Sequence, residues 1–305
     1  MASADLHIVT GAFGFSGRYI ARRLLEGGVR VRTLTSRPQS ASPFGDRVEA
    51  MPFNFDDPAR LTEALRGAAV LYNTYWVRFV HGITSFEQAI ANSRTLIACA
   101  AEAGVRRFVH VSITNPSEDS PLPYFRGKAI VECILAESGL SFAILRPTVL
   151  FGRGDVLINN IAWMLRRLPA FGVFGRGDYL VQPVYVDDLA AMAIDCAGRT
   201  GNLTIDAVGP EKFTYEQMVR LVRQAVGGLA RVIHVSPDHG LLAGKVVGGM
   251  VGDVPITREE IEGLMAGLLV SHHPPTCPTP FSLWLARHAD ELGRQYASEL
   301  ERHYR

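Results

Sequence analysis

The chain has 305 residues, with 31 Lys and Arg against 30 Asp and Glu, a formal net charge of +1, and 48% hydrophobic residues. That balance gives no electrostatic footprint for nucleic acid, and the length is enough for one large domain or one and a half around a buried core. Cys99, Cys133, Cys196 and Cys277 have no paired spacing, which argues against a disulfide framework and for a reduced, cytoplasmic protein. No early stretch reads as a signal peptide. The most apolar stretch, residues 240–252, is broken by glycines, contains Lys245 and is shorter than the ~20 residues a bilayer crossing needs, so no membrane span is expected.

The first predicted strand, Leu6 to Thr10, runs into Gly11-Ala12-Phe13-Gly14-Phe15-Ser16-Gly17-Arg18 and a helix over Gly14 to Glu26. Three glycines spaced three apart at a strand-to-helix turn suit a phosphate. The first allows the tight turn, the second lets backbone approach a pyrophosphate, and the third lets helix and strand pack closely, with the helix N-terminus facing the anion. Gly11, Phe13, Gly14, Phe15, Gly17 and Arg18 are therefore candidate dinucleotide contacts. The next strand, Arg30 to Thr35, leads into Ser36-Arg37. NAD-selective sites usually carry a carboxylate there for the ribose hydroxyls. Here no acidic side chain would repel a 2′-phosphate, and Arg37 and Arg18 would pair with one, so NADP(H) is preferred and NAD(H) is the alternative.

Strands follow at Val48 to Phe53 and Ala69 to Asn73, with helices at Pro58 to Leu65 and Phe86 to Ala103. Asn54, Phe55 and Asp56 would flank the adenine, and Asn73, Thr74 and Tyr75 would lie beside the ribose and pyrophosphate. After the strand Arg107 to Ser112 comes a helix over Tyr124 to Ser138, then the strand Ser141 to Leu145. Gly104 and Gly139 stand where C-terminal helix stops belong. The alternation predicts an α/β fold, a Rossmann-type doubly wound parallel sheet, whose ligands lie at the carboxyl ends of the strands. Tyr124 and Lys128, four apart, share one helix face, and only three lysines exist in the chain. A phenol of reference pKa ~10 is a poor base at neutral pH, but an adjacent ammonium favours its phenolate.

Beyond residue 150 the pattern loosens into short, glycine- and proline-interrupted segments. The expected division is a dinucleotide-binding domain over 1–150, its sheet completed from about 180–210, and a smaller, loop-rich substrate or oligomerisation region over 151–305. Thr214-Tyr215-Glu216-Gln217 and Thr257-Arg258-Glu259-Glu260 have capping-box spacing and predict helix starts. Asp187-Asp188 reads as a helix cap. Leu283 to Tyr304 reads as one amphipathic helix, packing on its own domain or contacting a second subunit or partner protein. His272-His273 and Cys277 are separated by Pro274-Pro275 with no carboxylate nearby, so no metal site is expected. Tyr75, Trp76, Phe79, Phe151 and further loop aromatics would line an apolar substrate pocket.

Four pieces together resemble the short-chain dehydrogenase/reductase superfamily in its extended and atypical branches: Thr10 to Gly17, Tyr124 to Lys128, Arg146-Pro147-Thr148, and Tyr185-Val186-Asp187-Asp188-Leu189-Ala190. Gly17-Arg18-Tyr19, Val109-His110-Val111-Ser112 and Tyr124 to Ala129 look most like the nucleotide-binding accessory subunit of respiratory complex I and its bacterial relatives, then like NmrA-like proteins. The resemblance implies a nicotinamide cofactor, contacts from Pro147, Thr148 and Val149, Tyr124 as general acid/base, and Lys128 as its electrostatic partner and a cofactor contact. It also implies a Ser or Thr that orients a substrate carbonyl, yet Ile113 occupies that position. Ser112 or Thr114 is the candidate substitute. The expected function is an NADP(H)-dependent oxidoreductase acting on a small carbonyl or alcohol. The alternatives are a nucleotide-sugar epimerase or dehydratase and a non-catalytic NADP(H)-binding sensor or assembly module.

Overall fold

In a computed structural model, which describes residues 5–39 and 41–303, the first half alternates strands and helices as their apolar periods require. In chain order these are β1 (Leu6–Thr10), α1 (Phe15–Glu26), β2 (Arg30–Thr35), β3 (Val48–Pro52), α2 (Pro58–Leu65), β4 (Ala68–Asn73), α3 (Phe86–Glu102), β5 (Arg107–Val111), α4 (Pro123–Glu137) and β6 (Phe142–Pro147). Short segments follow: β7 (Leu150–Phe151), α5 (Leu157–Arg167), β8 (Ala170–Phe174), β9 (Leu180–Val181) and β10 (Val184–Tyr185). The chain then returns through α6 (Val186–Gly198) and β11 (Leu203–Ala207).

The main sheet has seven strands in the order β11-β6-β5-β4-β1-β2-β3. β1 pairs in parallel with both β2 and β4, so strand order reverses at β1, the place where such sheets leave a crevice beyond their carboxyl ends. The strands β4, β5 and β6 are buried along nearly their whole length, as expected of a sheet covered on both faces. One face buries Ile8, Leu71, Phe108 and Ile144 against Leu61 and Leu65 of α2, Leu96 of α3 and Val131 and Leu135 of α4. Gly104 and Gly139 have φ of +74° and +75°, ending α3 and α4 as their positions required. On α6, Asp187 accepts from Arg23 at 2.8 and 2.9 Å and from Arg22 at 3.0 Å, tying α6 to α1.

The chain divides into two compact units, the first comprising residues 1–147 and 186–206, the second 148–185 and 207–305. The second unit continues with β12 (Phe213–Thr214), α7 (Tyr215–Ala225), β13 (Arg231–Val235), α8 (Pro237–Val251), α9 (Arg258–Met265), α10 (Phe281–His288) and α11 (Glu299–His303). Its core packs Phe151, Ile161, Leu165, Phe174, Val219, Phe281 and Trp284 together. Both capping boxes form, at Thr214 with Gln217 and at Thr257 with Glu260.

The single C-terminal helix expected over Leu283 to Tyr304 is instead two helices, and Tyr304 lies outside the described residues. Gly293 adopts φ +67° and its N–H donates to Asn159 Oδ1 at 3.0 Å, so the segment turns back onto α5. A Cβ at Gly293 would sit 2.4 Å from the Trp163 backbone nitrogen, which is why only glycine fits this turn. No described helix is long and apolar enough to cross a membrane.

Candidate functional site

At the end of β1 the backbone itself forms a cradle. Gly11 adopts φ +65°, its N–H donates to Leu34 O at 2.8 Å, and Gly14 N–H donates to Gly11 O at 2.8 Å. A Cβ on Gly17 would lie 2.3 Å from Gly11 O and 2.8 Å from its carbonyl carbon, and one on Gly14 would lie 3.2 Å from the same oxygen. Thr33 pins the turn, accepting from Ala12 N–H at 3.0 Å and donating to Val9 O at 2.8 Å. Gly14, the N-cap of α1, has no side-chain cap, and the first turn holds no acidic residue. The leading N–H groups of α1 thus face no competing anion, the condition a pyrophosphate needs. Glycine is required at 17 by this close approach and favoured at 11 by its backbone angle. Phe13, Phe15 and Arg18 are half-buried around them.

At the end of β2, Thr35 Oγ accepts from Arg37 N–H at 3.2 Å, with Ser36 exposed and Arg37 half-buried. Beyond β3, Asn54 turns the chain at φ +48° and Asp56 is exposed. Phe55 stacks on Phe53 at 4.7 Å between centroids, and Tyr75 closes the cluster at 5.2 and 5.0 Å from them. Tyr75 Oη accepts from Asn92 Nδ2 at 2.7 Å. The ring is thereby fixed beside β4.

Pro123 starts α4, and the helix presents Tyr124, Gly127 and Lys128 to one side. Trp76 fills the space against them. Its ring centroid is 6.0 Å from that of Tyr124 in an edge-on contact, and 4.7 Å from Lys128 Nζ. Gly127 makes this possible, since a Cβ there would fall 3.0 Å from the indole. Phe86 meets Tyr124 edge-on from a second side. Lys128 is only 3% exposed, and its Nζ donates to Val111 O at 2.9 Å. Burial pulls its pKa down to about 7, an effect that Glu132 one turn away opposes. Glu132 in turn accepts from Arg146 Nε and Nη2, a charge-assisted pair that fixes α4 to β6.

At the ends of β4 and β5 the polar side chains face inward. Asn73 is fully buried; its Oδ1 accepts from Thr10 Oγ–H at 3.0 Å, and its Nδ2 meets His110 Nδ1 at 3.1 Å. Thr74 is anchored by donating from Oγ to Thr10 O at 2.6 Å. Of the two candidate hydroxyls flanking Ile113, Thr114 is fully buried and donates to Pro147 O at 3.1 Å. Ser112 Oγ is buried with no hydrogen-bond partner among the described residues, as are His110 Nε2 and Trp76 Nε1.

Within the first unit the fold thus gathers the glycine turn, Asn73 to Tyr75, Ser112, Tyr124 and Lys128 at the carboxyl ends of neighbouring strands. Pro147 ends β6 there and accepts from Thr114. Thr148 and Val149 belong to the second unit, where Thr148 Oγ donates to Gln182 O and Val149 O accepts from Val184 N–H at 2.8 Å. Sequence reasoning missed the seat of Trp76 on Lys128 and the inward role of His110. The signal for His110 was present: strand alternation puts it on the face of Phe108, a core residue, so a polar ring there had to find a buried partner.

Comparison with known proteins bears on the fold and the nucleotide. Residues 11–156 match the family model described as NAD(P)H-binding. The chain is 28% identical over 226 residues to NADH dehydrogenase (ubiquinone) 1 alpha subcomplex subunit 9 of Arabidopsis thaliana, covering 70% of this chain and 56% of that protein. It is 27% identical over 244 residues to a ceramide reductase of Caulobacter vibrioides, covering 78% and 76%. Among solved structures, Citrobacter sp. triphenylmethane reductase complexed with NADP(H) superposes with a TM-score of 0.74 at 19% identity, covering 93% of this chain and 99% of that one. Residues 11–156 thus match an NAD(P)H-binding family model, and the chain shares the fold of that NADP(H)-complexed reductase.

Proposed function

We propose that the protein is an NADP(H)-dependent reductase acting at a carbonyl or alcohol carbon of a small substrate in the cytoplasm. One observation carries the reading: Tyr124 and Lys128 share one helix face against one indole, with the lysine buried and its pKa brought near neutrality. A bound nicotinamide supplies or accepts the hydride. Tyr124 holds the exchanging proton at Oη, and Lys128, when protonated, favours the phenolate that the proton leaves behind. Ser112 supplies the hydroxyl that orients the substrate oxygen, because Thr114 already donates to Pro147. Tyr124, Trp76 and Phe86 give the surroundings an aromatic, apolar character suited to a hydrophobic substrate. Arg37 and Arg18, with no carboxylate at the end of β2, support NADP(H) over NAD(H). The reductases among the relatives support the reductase reading.

A second reading, a non-catalytic NADP(H)-binding module docked to a partner protein, is favoured by the relative that is a subunit of NADH dehydrogenase and by Ile113. Replacing Tyr124 by Phe separates the two. On the reductase reading, Y124F abolishes NADPH-dependent reduction across a panel of aldehydes and ketones, while calorimetric titration finds NADPH affinity nearly unchanged. A wild-type protein that binds NADPH and reduces nothing in the panel supports the module.

A further inference from the structure

The buried chain from Thr10 through Asn73 to His110 has a polarity that the backbone fixes. Tyr75 N–H is a donor that cannot be reassigned, and it reaches Thr10 Oγ at 3.0 Å and Asn73 Oδ1 at 3.1 Å. Thr74 N–H reaches the same threonine oxygen at 2.7 Å. The oxygen of the Asn73 amide is thereby identified, so the atom facing His110 Nδ1 is the amide NH2, which only donates. Nδ1 must therefore accept, and the imidazole carries its hydrogen on Nε2. Protonating Nδ1 would set one N–H against another. Burial, and the Lys128 ammonium on the adjoining α4, both hold the imidazole well below its ordinary pKa, so it stays neutral.

His110 Nε2–H is thus a fully buried donor without an acceptor among the described residues. Alternation along β5 places Phe108, His110 and Ser112 on one face, and Ser112 N–H still pairs with Leu145 O at 2.7 Å, keeping the strand geometry through that residue. Ser112 is buried, and its hydroxyl is likewise without a partner among the described residues. A serine oxygen can accept one hydrogen bond and donate another, whereas His110 Nε2 and Trp76 Nε1 can only donate.

We propose that His110 is a positioning residue for Ser112: its Nε2–H, which makes no direct bond to Ser112 Oγ, donates to it through one internal water and so leaves the Ser112 O–H free to donate to a substrate oxygen. Asn73 cannot pass a proton onward, and the chain ends in the backbone N–H groups of Thr74 and Tyr75. It orients and does not relay. Asn73 spends its side chain on this orientation. The use of the free hydroxyl rests on the reductase reading, but the tautomer does not.

The test is histidine-selective nitrogen-15 NMR on the full chain, with H110Q assigning the resonances. The expected spectrum shows His110 with a bare Nδ1 and a protonated Nε2, without titration between about pH 5 and pH 8. In S112A the Nε2–H resonance shifts and its proton exchanges faster, while the Nδ1 signal stays. In N73A the pure Nε2–H tautomer is lost. A protonated Nδ1, a His110 that titrates in that range, or an Nε2–H indifferent to S112A overturns the proposal. No step uses turnover, so absence of reductase activity would count against the proposed function and leave this assignment standing.

Discussion

The strand ends at β1 and β2 and those at β4 and β5 are built from opposite materials. The first is made by removing side chains: Gly11 turns at φ +65°, Gly14 lies close against its carbonyl, and at Gly17 backbone meets backbone until a Cβ has nowhere to go. The second is made by burying polar side chains, with Asn73, His110, Ser112 and Lys128 all withdrawn from water. Steric cradles of the first kind either close or fail, because packed backbone has no room to yield. Buried polar corners of the second kind are adjustable, because each group's charge and hydrogen direction depend on its neighbours.

The sharpest way to break the comparison is Gly17→Ala. The added carbon would lie 2.3 Å from a backbone carbonyl oxygen, a contact that no side-chain rotation relieves. The cost lies at or above the upper end of the ~1–3 kcal/mol typical of overpacking, a large part of a domain's total stability. The expected outcome is a markedly lower thermal midpoint together with loss of NADPH binding by calorimetry. Wild-type behaviour in both would show that the turn is not closed by backbone contact.

Lys128→Met probes the polar corner through pH. Burial lowers the native ammonium's pKa from 10.5 to about 7, so between those values the unfolded chain binds one more proton than the native protein. Stability of the wild type therefore rises with pH across that window, by on the order of 1 kcal/mol per unit, and the full cost is present below it. The methionine variant lacks this slope and at neutral pH is at least as stable as the wild type, since an apolar chain of similar length replaces a buried charge. Denaturant unfolding of both proteins between neutral pH and pH ~10 measures the difference. Parallel curves would mean that the lysine is hydrated.

This contrast also explains what the sequence could show. The glycine turn, the strands β1 and β2 and the helix α2 were readable because their signals are local: spacing of three, short strand-like runs, and a helical run opening on a proline. The Tyr124 and Lys128 pair was readable for the same reason, one helical turn. The Thr10, Asn73 and His110 chain was not, since its members lie 63 and 37 positions apart and meet only through strand order. The broken C-terminal helix failed differently. Its apolar spacing is real, but Gly293 is required at a close approach to α5, and tertiary packing overrode the period.

At the β2 end, Arg37→Ala should weaken NADPH binding about tenfold, roughly 1.4 kcal/mol, with NADH affinity nearly unchanged. The residue is half-buried, so a larger effect is not expected. Calorimetric titration with both nucleotides decides it, and equal losses would place the guanidinium away from the 2′-phosphate.

The smallest effect on stability, and the most specific to the polar corner, belongs to Gly127→Ala. Alanine in a helix interior gains about 1 kcal/mol over glycine, while its Cβ, 3.0 Å from the Trp76 ring, must displace the indole by a few tenths of an ångström. These terms oppose each other at similar size, so the thermal midpoint should barely move. The indole, however, leaves its seat on Lys128, and the fluorescence of Trp76, read as the difference from a W76F background, should change in intensity and in its pH dependence near neutrality. A backbone cradle would register such a substitution as lost stability, as at Gly17; a corner of adjustable polar groups registers it as a shifted environment at constant stability. Unchanged Trp76 fluorescence with a large fall in midpoint would place Gly127 with the steric glycines and remove the distinction between the two strand ends.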